Sequence, residues 1–168
     1  MKRNGQLFLL AAALILCAAA DAHAATIIAR QGLVRVSPAR GAAWQVLGDT
    51  SELPAGATVS TGDSALLTVR VLNRSAITIG PRSVARFDGE RFQIARCTIF
   101  EGDLRAQVEP LRGRQFRVVT ALASIGVRGT EFTVAVDPAG ALVVAVDTGL
   151  VAARQDSEDA LIAAGEVL

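Results

Sequence analysis

The chain contains almost no histidine, lysine or tyrosine. His23 is its only histidine, Lys2 is its only lysine, and tyrosine is absent. A Ser-His-Asp or Cys-His arrangement needs a histidine, and a zinc site of the usual kind needs Cys and His ligands. A Schiff base or a Walker phosphate loop needs a lysine. Because both rare residues lie near the N-terminus, the fate of that segment decides which chemistry the rest of the chain retains.

The N-terminal segment has the three-part pattern of a secretory signal peptide. Two basic residues come first, an uncharged apolar run of 14 residues follows over 7–20, and small residues flank a cleavage site after Ala24. That run is shorter than the roughly 20 residues of a membrane-spanning helix. We therefore predict a signal peptide over 1–24 and a periplasmic domain over 25–168, with no stable membrane span after cleavage. A retained anchor and a lipid attached to Cys17 are the alternatives.

Cleavage leaves a domain with few options for catalysis. The 168 − 24 = 144 remaining residues contain 17 − 2 = 15 basic side chains, all arginine, and 16 − 1 = 15 acidic side chains. Paired carboxylates remain, such as Glu101 with Asp103, and such pairs can serve glycoside hydrolysis. Acids beside glycine at strand ends are more typical of turns, and no calcium-binding loop pattern is present. The sequence therefore predicts a protein that is not an enzyme and has no cofactor or metal site.

After residue 25 the sequence alternates apolar and polar residues with a period of two. This alternation is typical of strands with one buried and one exposed face, so we predict an all-β fold. Glycines precede several strands, at spacings between 80 − 62 = 18 and 62 − 32 = 30 residues. Such spacing favours a β-solenoid-like stack of short strands with glycine-led turns, with a β-sandwich or roll as the alternative. The glycines are Gly32, Gly62, Gly80, Gly102, Gly129 and Gly149.

Charge is distributed unevenly along the chain. Residues 70–128 contain 11 arginines and five acidic residues, whereas residues 129–168 contain seven acidic residues and one arginine. The two segments can compensate each other in the fold, or the first can present an arginine face to an anionic partner. We take Arg82, Arg86 and Arg105 as the candidate anionic-partner face. Nucleic acid is not an expected partner of an exported protein with few aromatic residues among its arginines.

Trp44 and Cys97 both lie within segments predicted to be strands. A single tryptophan in a small domain more often fills the core than anchors a ligand, so we expect Trp44 to be buried. A lone cysteine between apolar strand residues is expected to be a buried, inert thiol. An intermolecular disulfide is the alternative for Cys97.

One segment over 120–136, TALASIGVRGTEFTVAV, interrupts two apolar stretches with Arg128, Gly129, Thr130 and Glu131. Gly129 allows the backbone angles of a tight turn. An arginine and a carboxylate that bracket such a turn can form a bidentate ion pair. We predict that Arg128 pairs with Glu131 and fixes the register of the turn, and recognition of a partner by these four residues is the alternative.

The same segment closely resembles the signature of the FecR domain. Ala121 stands where this family usually has proline, and similar segments upstream extend the resemblance over roughly residues 30–153. The matching residues are Val119, Thr120, Ala123, Val127, Arg128, Gly129, Thr130, Phe132 and Val134.

The resemblance implies a role in signalling across the cell envelope. Well-known FecR proteins are iron-uptake regulators with a cytoplasmic anti-sigma segment, one membrane span and a periplasmic FecR domain that contacts an outer-membrane transporter. This chain shows neither the cytoplasmic segment nor the span, so the resemblance implies a free periplasmic sensor or adaptor. We expect a non-catalytic module whose partner is another periplasmic or envelope protein, bound by strand addition at a free sheet edge. The alternative is a binder of an anionic envelope glycan or lipid through the arginine-rich face.

Overall fold

The structure, a computed structural model, consists mainly of short strands. Fifteen strands and no helix occur within the described residues, so the predicted all-β fold is confirmed. In that part of the chain there is accordingly no helix with the length and apolar character needed to cross a membrane. Most of the predicted signal peptide lies outside the described residues. The residues described are 23–72, 74–91, 93–110, 113–155 and 158–167.

The strands follow the alternation of the sequence. In the strand that begins at Thr130, buried and half-buried residues alternate over all seven positions. The strands are β1 (His23–Gln31), β2 (Val34–Ser37), β3 (Gln45–Val46), β4 (Glu52–Pro54), β5 (Ala57–Thr61), β6 (Leu66–Val71), β7 (Ser75–Ile79), β8 (Val84–Arg91), β9 (Ile94–Val108), β10 (Gln115–Val119), β11 (Ser124–Val127), β12 (Thr130–Val136), β13 (Leu142–Thr148), β14 (Leu150–Gln155) and β15 (Glu158–Ala163).

The strands form two sheets that share the long strand β9. Sheet A has the order β13, β12, β9, β7, β6, β1 and β4. Sheet B has the order β15, β14, β11, β10, β9, β8, β5, β2 and β3. The first half of β9 pairs with β8 and β10, and its second half, from Gly102 onward, pairs with β12 and β7. A single strand thus bends from one sheet into the other.

The core lies between the inner faces of the two sheets and forms one apolar cluster. Its largest fully buried side chains include Phe87 of sheet B and Phe132 of sheet A, with Phe116 of β10. Most of the remaining core consists of Val, Leu, Ile and Ala. Because most strands bury alternate residues, the intervening residues, most of them polar or small, form the two outer faces.

The direction of the paired strands tests the predicted β-solenoid-like architecture. Among the fourteen described ladders only the one between β9 and β10 is parallel, and the others are antiparallel. A solenoid-like stack of coils is therefore not confirmed. Two packed antiparallel sheets are compatible with the sandwich or roll that the sequence left as the alternative.

The bend of β9 is held by a buried polar corner. The backbone N–H of Asp103 donates to Ser83 Oγ at 2.9 Å, and Ser83 Oγ donates to the carbonyl of Pro81 at 2.9 Å. Thr61 Oγ1 donates to the carbonyl of Gly80 at 2.6 Å and accepts from the Ser83 N–H at 2.9 Å. These hydrogen bonds link β5 and the loop between β7 and β8 to the point at which β9 passes from one sheet into the other.

The predicted cleavage site lies at the start of β1. His23 and Ala24 are the first two residues of that strand, and His23 Nε2 lies 2.9 Å from Glu52 Oε2 on the surface. Ala25, which would become the new N-terminus, is buried. Cleavage after Ala24 stays a prediction; it would remove the His23–Glu52 contact and leave the rest of β1 in place.

Candidate functional site

The predicted turn connects the two sheets. β11 ends at Val127 in sheet B, and β12 begins at Thr130 in sheet A. Gly129 has φ +66°, and a Cβ at this position would lie 2.9 Å from Cγ of Pro110. Both the left-handed backbone and the close approach of Pro110 therefore require glycine. Thr130 is buried, and its Oγ1 has no hydrogen-bond partner among the described residues.

The predicted ion pair between Arg128 and Glu131 is wrong. Glu131 Oε1 instead accepts a hydrogen bond from Nη2 of Arg105 at 2.7 Å, and Arg105 Nη2 also lies 3.4 Å from Asp147 Oδ2. The reason is that the turn changes sheets: Glu131 lies on the outer face of sheet A, whereas Arg128 follows the outward-facing positions of β11 in sheet B. Arg128 and Glu131 are only three positions apart in sequence, but their side chains lie on different faces of the domain.

The three arginines of the candidate anionic face are not brought together. Arg86 lies on the outer side of β8 in sheet B, where its Nε donates to Asp88 Oδ1 at 2.6 Å and its guanidinium carbon lies 5.6 Å from the centroid of the Phe100 ring. Arg105 lies on β9 in sheet A, and Arg82 is exposed in the β7–β8 connection. Binding of an anionic glycan or lipid through these residues stays a prediction.

A groove that the sequence did not predict lies on the outer face of sheet B. It has a volume of about 770 Å³ and crosses β10, β11, β14 and β15. One row of cross-strand neighbours runs across the groove: Arg117 of β10, Gly126 of β11, Ala152 of β14 and Leu161 of β15. Gly126 has no side chain and Ala152 has only a methyl group. These two residues form the floor of the groove, between neighbours with longer side chains.

The two ends of the groove differ in charge. Arg117 and Arg128 line one end, together with Gln115. At the other end, Arg154 Nε and Nη2 donate to the two carboxylate oxygens of Asp159 at 2.6 and 2.9 Å. These hydrogen bonds hold the pKa of Asp159 below its usual value and raise that of Arg154. The Arg154–Asp159 pair neutralises its end of the groove, so the positive end lies at Arg117 and Arg128.

An exposed apolar patch lies at the other edge of sheet B. The side chain of Trp44 is 49% exposed and that of Val46 is 64% exposed. The prediction that Trp44 fills the core is therefore wrong. Trp44 precedes β3, a two-residue edge strand that pairs only with β2 among the described residues, and no described element covers this face.

Cys97 is buried completely, as the sequence predicted. It lies on β9 opposite Phe87 and Val118 and forms no disulfide. Burial raises the pKa of the thiol far above its usual value, and the nearby carboxylate of Asp88 raises it further. The described residues contain no group of three or more His, Cys, Asp or Glu side chains placed to hold a metal ion.

The fold is that of an all-β domain in which two packed sheets share one strand. The chain belongs to the FecR family: the family model described as FecR protein matches residues 57–152, more than half of its length. This match includes the turn, the whole of β10 and β11, and β14 as far as Ala152. No curated protein matches the chain.

Two solved structures have a similar fold. Both are crystal structures of a candidate anti-sigma factor from Parabacteroides distasonis ATCC 8503, at 1.65 Å and 2.50 Å resolution. Each is 21% identical to this chain, and the TM-scores are 0.59 and 0.60. The alignments cover 66% of this chain and 52% of the other protein, so the chain spans about half the length of these relatives.

Proposed function

We propose that this protein is a non-catalytic, periplasmic protein-binding module that acts as a sensor or adaptor in envelope signalling. The observation that carries the proposal is its membership of the FecR family over residues 57–152. The similarity in fold to a candidate anti-sigma factor also supports a regulatory role. The periplasmic location is supported by the signal-peptide pattern of residues 1–24.

Free sheet edges would allow a partner protein to bind by adding a strand. Among the described residues β15 pairs only with β14, and β3 pairs only with β2. The free edge of β13 is partly occupied, because the N–H groups of Val146 and Gly165 bond to the carbonyls of Glu166 and Val146. A partner strand can therefore be added at β15 or β3, where main-chain groups are accessible.

An anionic glycan or lipid is the less favoured ligand. Arg86 and Arg105 are both bonded to carboxylates, and they lie on different sheets. An anion that bound through both would have to compete with these ion pairs and reach across the edge of the domain.

Export and partner binding can be tested in the same strain. An epitope-tagged full-length chain is expected in the periplasmic fraction with Ala25 at its N-terminus, and crosslinking there should capture a specific protein. A variant with Leu10→Arg, which places a charge in the apolar run, should stay unprocessed and serves as the control. Untrimmed wild-type protein in the cytosol would contradict the location, and capture of no specific protein under several growth conditions would contradict the binding function.

A further inference from the structure

We infer that the groove on the outer face of sheet B binds an extended, acidic segment of a partner protein, whose carboxylates are held by Arg117 and Arg128. The inference rests on the protein-binding function proposed above and identifies the surface and the chemistry of the ligand. It uses residues of β10, β11, β14 and β15.

The arginines at the positive end of the groove lack acidic partners. Within the described part of the chain, Arg117 and Arg128 form no ion pair, and neither does Arg96. Arg96 and Arg117 are direct neighbours in the parallel ladder of β9 and β10. Like charges placed opposite each other in a sheet destabilise it. A bound carboxylate would relieve this repulsion, which gives the site a preference for an anionic ligand.

The spacing of the arginines matches an extended peptide. Arg117 stands opposite Gly126, and Arg128 is two positions further along the same chain, so the two arginines occupy diagonal positions on neighbouring strands. Such positions lie about 7–8 Å apart. Alternate residues of an extended peptide lie about 6.6–6.8 Å apart and face the same side. Two carboxylates at positions i and i+2 of a strand can therefore each meet one guanidinium, and each contact can be bidentate.

The rest of the groove favours a peptide over a membrane surface. Its floor is formed by Gly126 and Ala152, and the exposed side chains of Leu150 and Leu161 border it. A floor of small residues bordered by longer side chains fits a single chain with acidic and apolar residues better than a flat layer of head groups. Arg154 at the far end is already bonded to Asp159, so the acidic end of the ligand is expected at Arg117 and Arg128.

A direct test uses a fluorescent synthetic peptide that alternates glutamate and valine, with fluorescence anisotropy as the readout. Arg117→Gln or Arg128→Gln is expected to weaken binding about five- to tenfold, since each removes one partly exposed charged contact. Arg70→Gln is the matched control, because Arg70 is an exposed arginine on β6 of sheet A. The same peptide with lysine in place of glutamate should not bind. Equal losses in all three variants, or no binding of the acidic peptide to wild type, would overturn the inference.

A steric variant separates the groove from a diffuse positive surface. Gly126 has no left-handed backbone, and a Cβ there would meet only the carbonyl oxygen of Ala152 at 3.8 Å. Gly126→Val should therefore fold normally and fill the floor of the groove, with peptide binding reduced at least about tenfold. Circular dichroism and the melting temperature check the fold. If Gly126→Val leaves peptide binding unchanged while vesicles of anionic lipid bind both proteins, a membrane surface is the ligand and the inference fails.

The two proposals can fail separately. If crosslinking captures a periplasmic partner equally well with wild type and with Arg117→Gln/Arg128→Gln, protein binding stands and the groove is not its site. If the acidic peptide binds wild type and the variants bind weakly, but no partner is captured in cells, the groove is confirmed as an acidic-peptide site and the cellular function is contradicted.

Discussion

Replacement of Gly102 by alanine would show how firmly the bend of β9 fixes the two sheets. Gly102 has φ +89°, and a Cβ there would lie 2.1 Å from Ser83 Oγ and 2.6 Å from Ser83 Cα. Because one of these atoms belongs to the backbone, rotation of the Ser83 side chain cannot relieve the contact. The β7–β8 connection would have to move away from β9 and release the hydrogen bond between Asp103 N–H and Ser83 Oγ.

The expected loss is large for a domain of this size. The left-handed backbone costs an alanine about 1–2 kcal/mol. Overpacking at a buried contact adds about 1–3 kcal/mol, and the loss of this partly buried hydrogen bond adds about 1 kcal/mol. The free energy of unfolding should therefore fall by about 3–6 kcal/mol, out of a typical total of about 5–15 kcal/mol.

Gly140→Ala is a matched control for backbone strain alone. Gly140 has φ +88°, almost the same value, but no atom lies within 4 Å of the Cβ position. Its substitution should cost only about 1–2 kcal/mol. Urea unfolding of the domain 25–168, followed by circular dichroism, measures both variants. Equal losses in the two would refute the reasoning, because they would show that the contact with Ser83 is relieved at no cost.

Three further predictions concern single side chains. Cys97 should react with a maleimide in the native domain at least about 10³-fold more slowly than in urea, since modification requires the core to open; rapid native labelling would contradict its burial. Trp44, the only tryptophan, should be quenched readily by acrylamide and emit near the wavelength of solvent-exposed indole, whereas blue-shifted, unquenched emission would contradict its position at the β3 edge. Hydrogen bonds from Arg154 lower the pKa of Asp159, so their stabilisation is present above the usual aspartate pKa of about 3.9 and is lost as the pH falls through the lower folded value. Carboxyl NMR titration should show this pKa rise in Arg154→Gln, and an unchanged value would contradict the pairing.

Local patterns predicted the strands because burial in this fold alternates residue by residue. Cys97 follows the exposed Arg96 and its inward position on β9 agrees with that alternation, although Thr98 after it is also buried. Trp44 was misplaced because β3 is only two residues long and lies at an edge. Alternation cannot show whether another element covers the face of so short a strand.

The groove was missed for a different reason. Alternation alone places Arg117, Gly126 and Ala152 on outward-facing positions of their strands. Their contact depends on the order β10, β11, β14 and β15 in sheet B, with β12 and β13 diverted into sheet A. This diversion is a long-range property of the chain and leaves no local pattern. The same diversion made the predicted Arg128–Glu131 pair wrong.

The turn explains a structural property of the family signature and bears on the ligand inferred for the groove. Gly129 has to be glycine because Pro110 and the left-handed backbone exclude a side chain. The change of sheet that it permits sends Glu131 to Arg105 on one face of the domain. Arg128 is left at the groove on the other face, without a carboxylate partner among the described residues. Its exposure beside Arg117 is better explained by a ligand that supplies the missing negative charge.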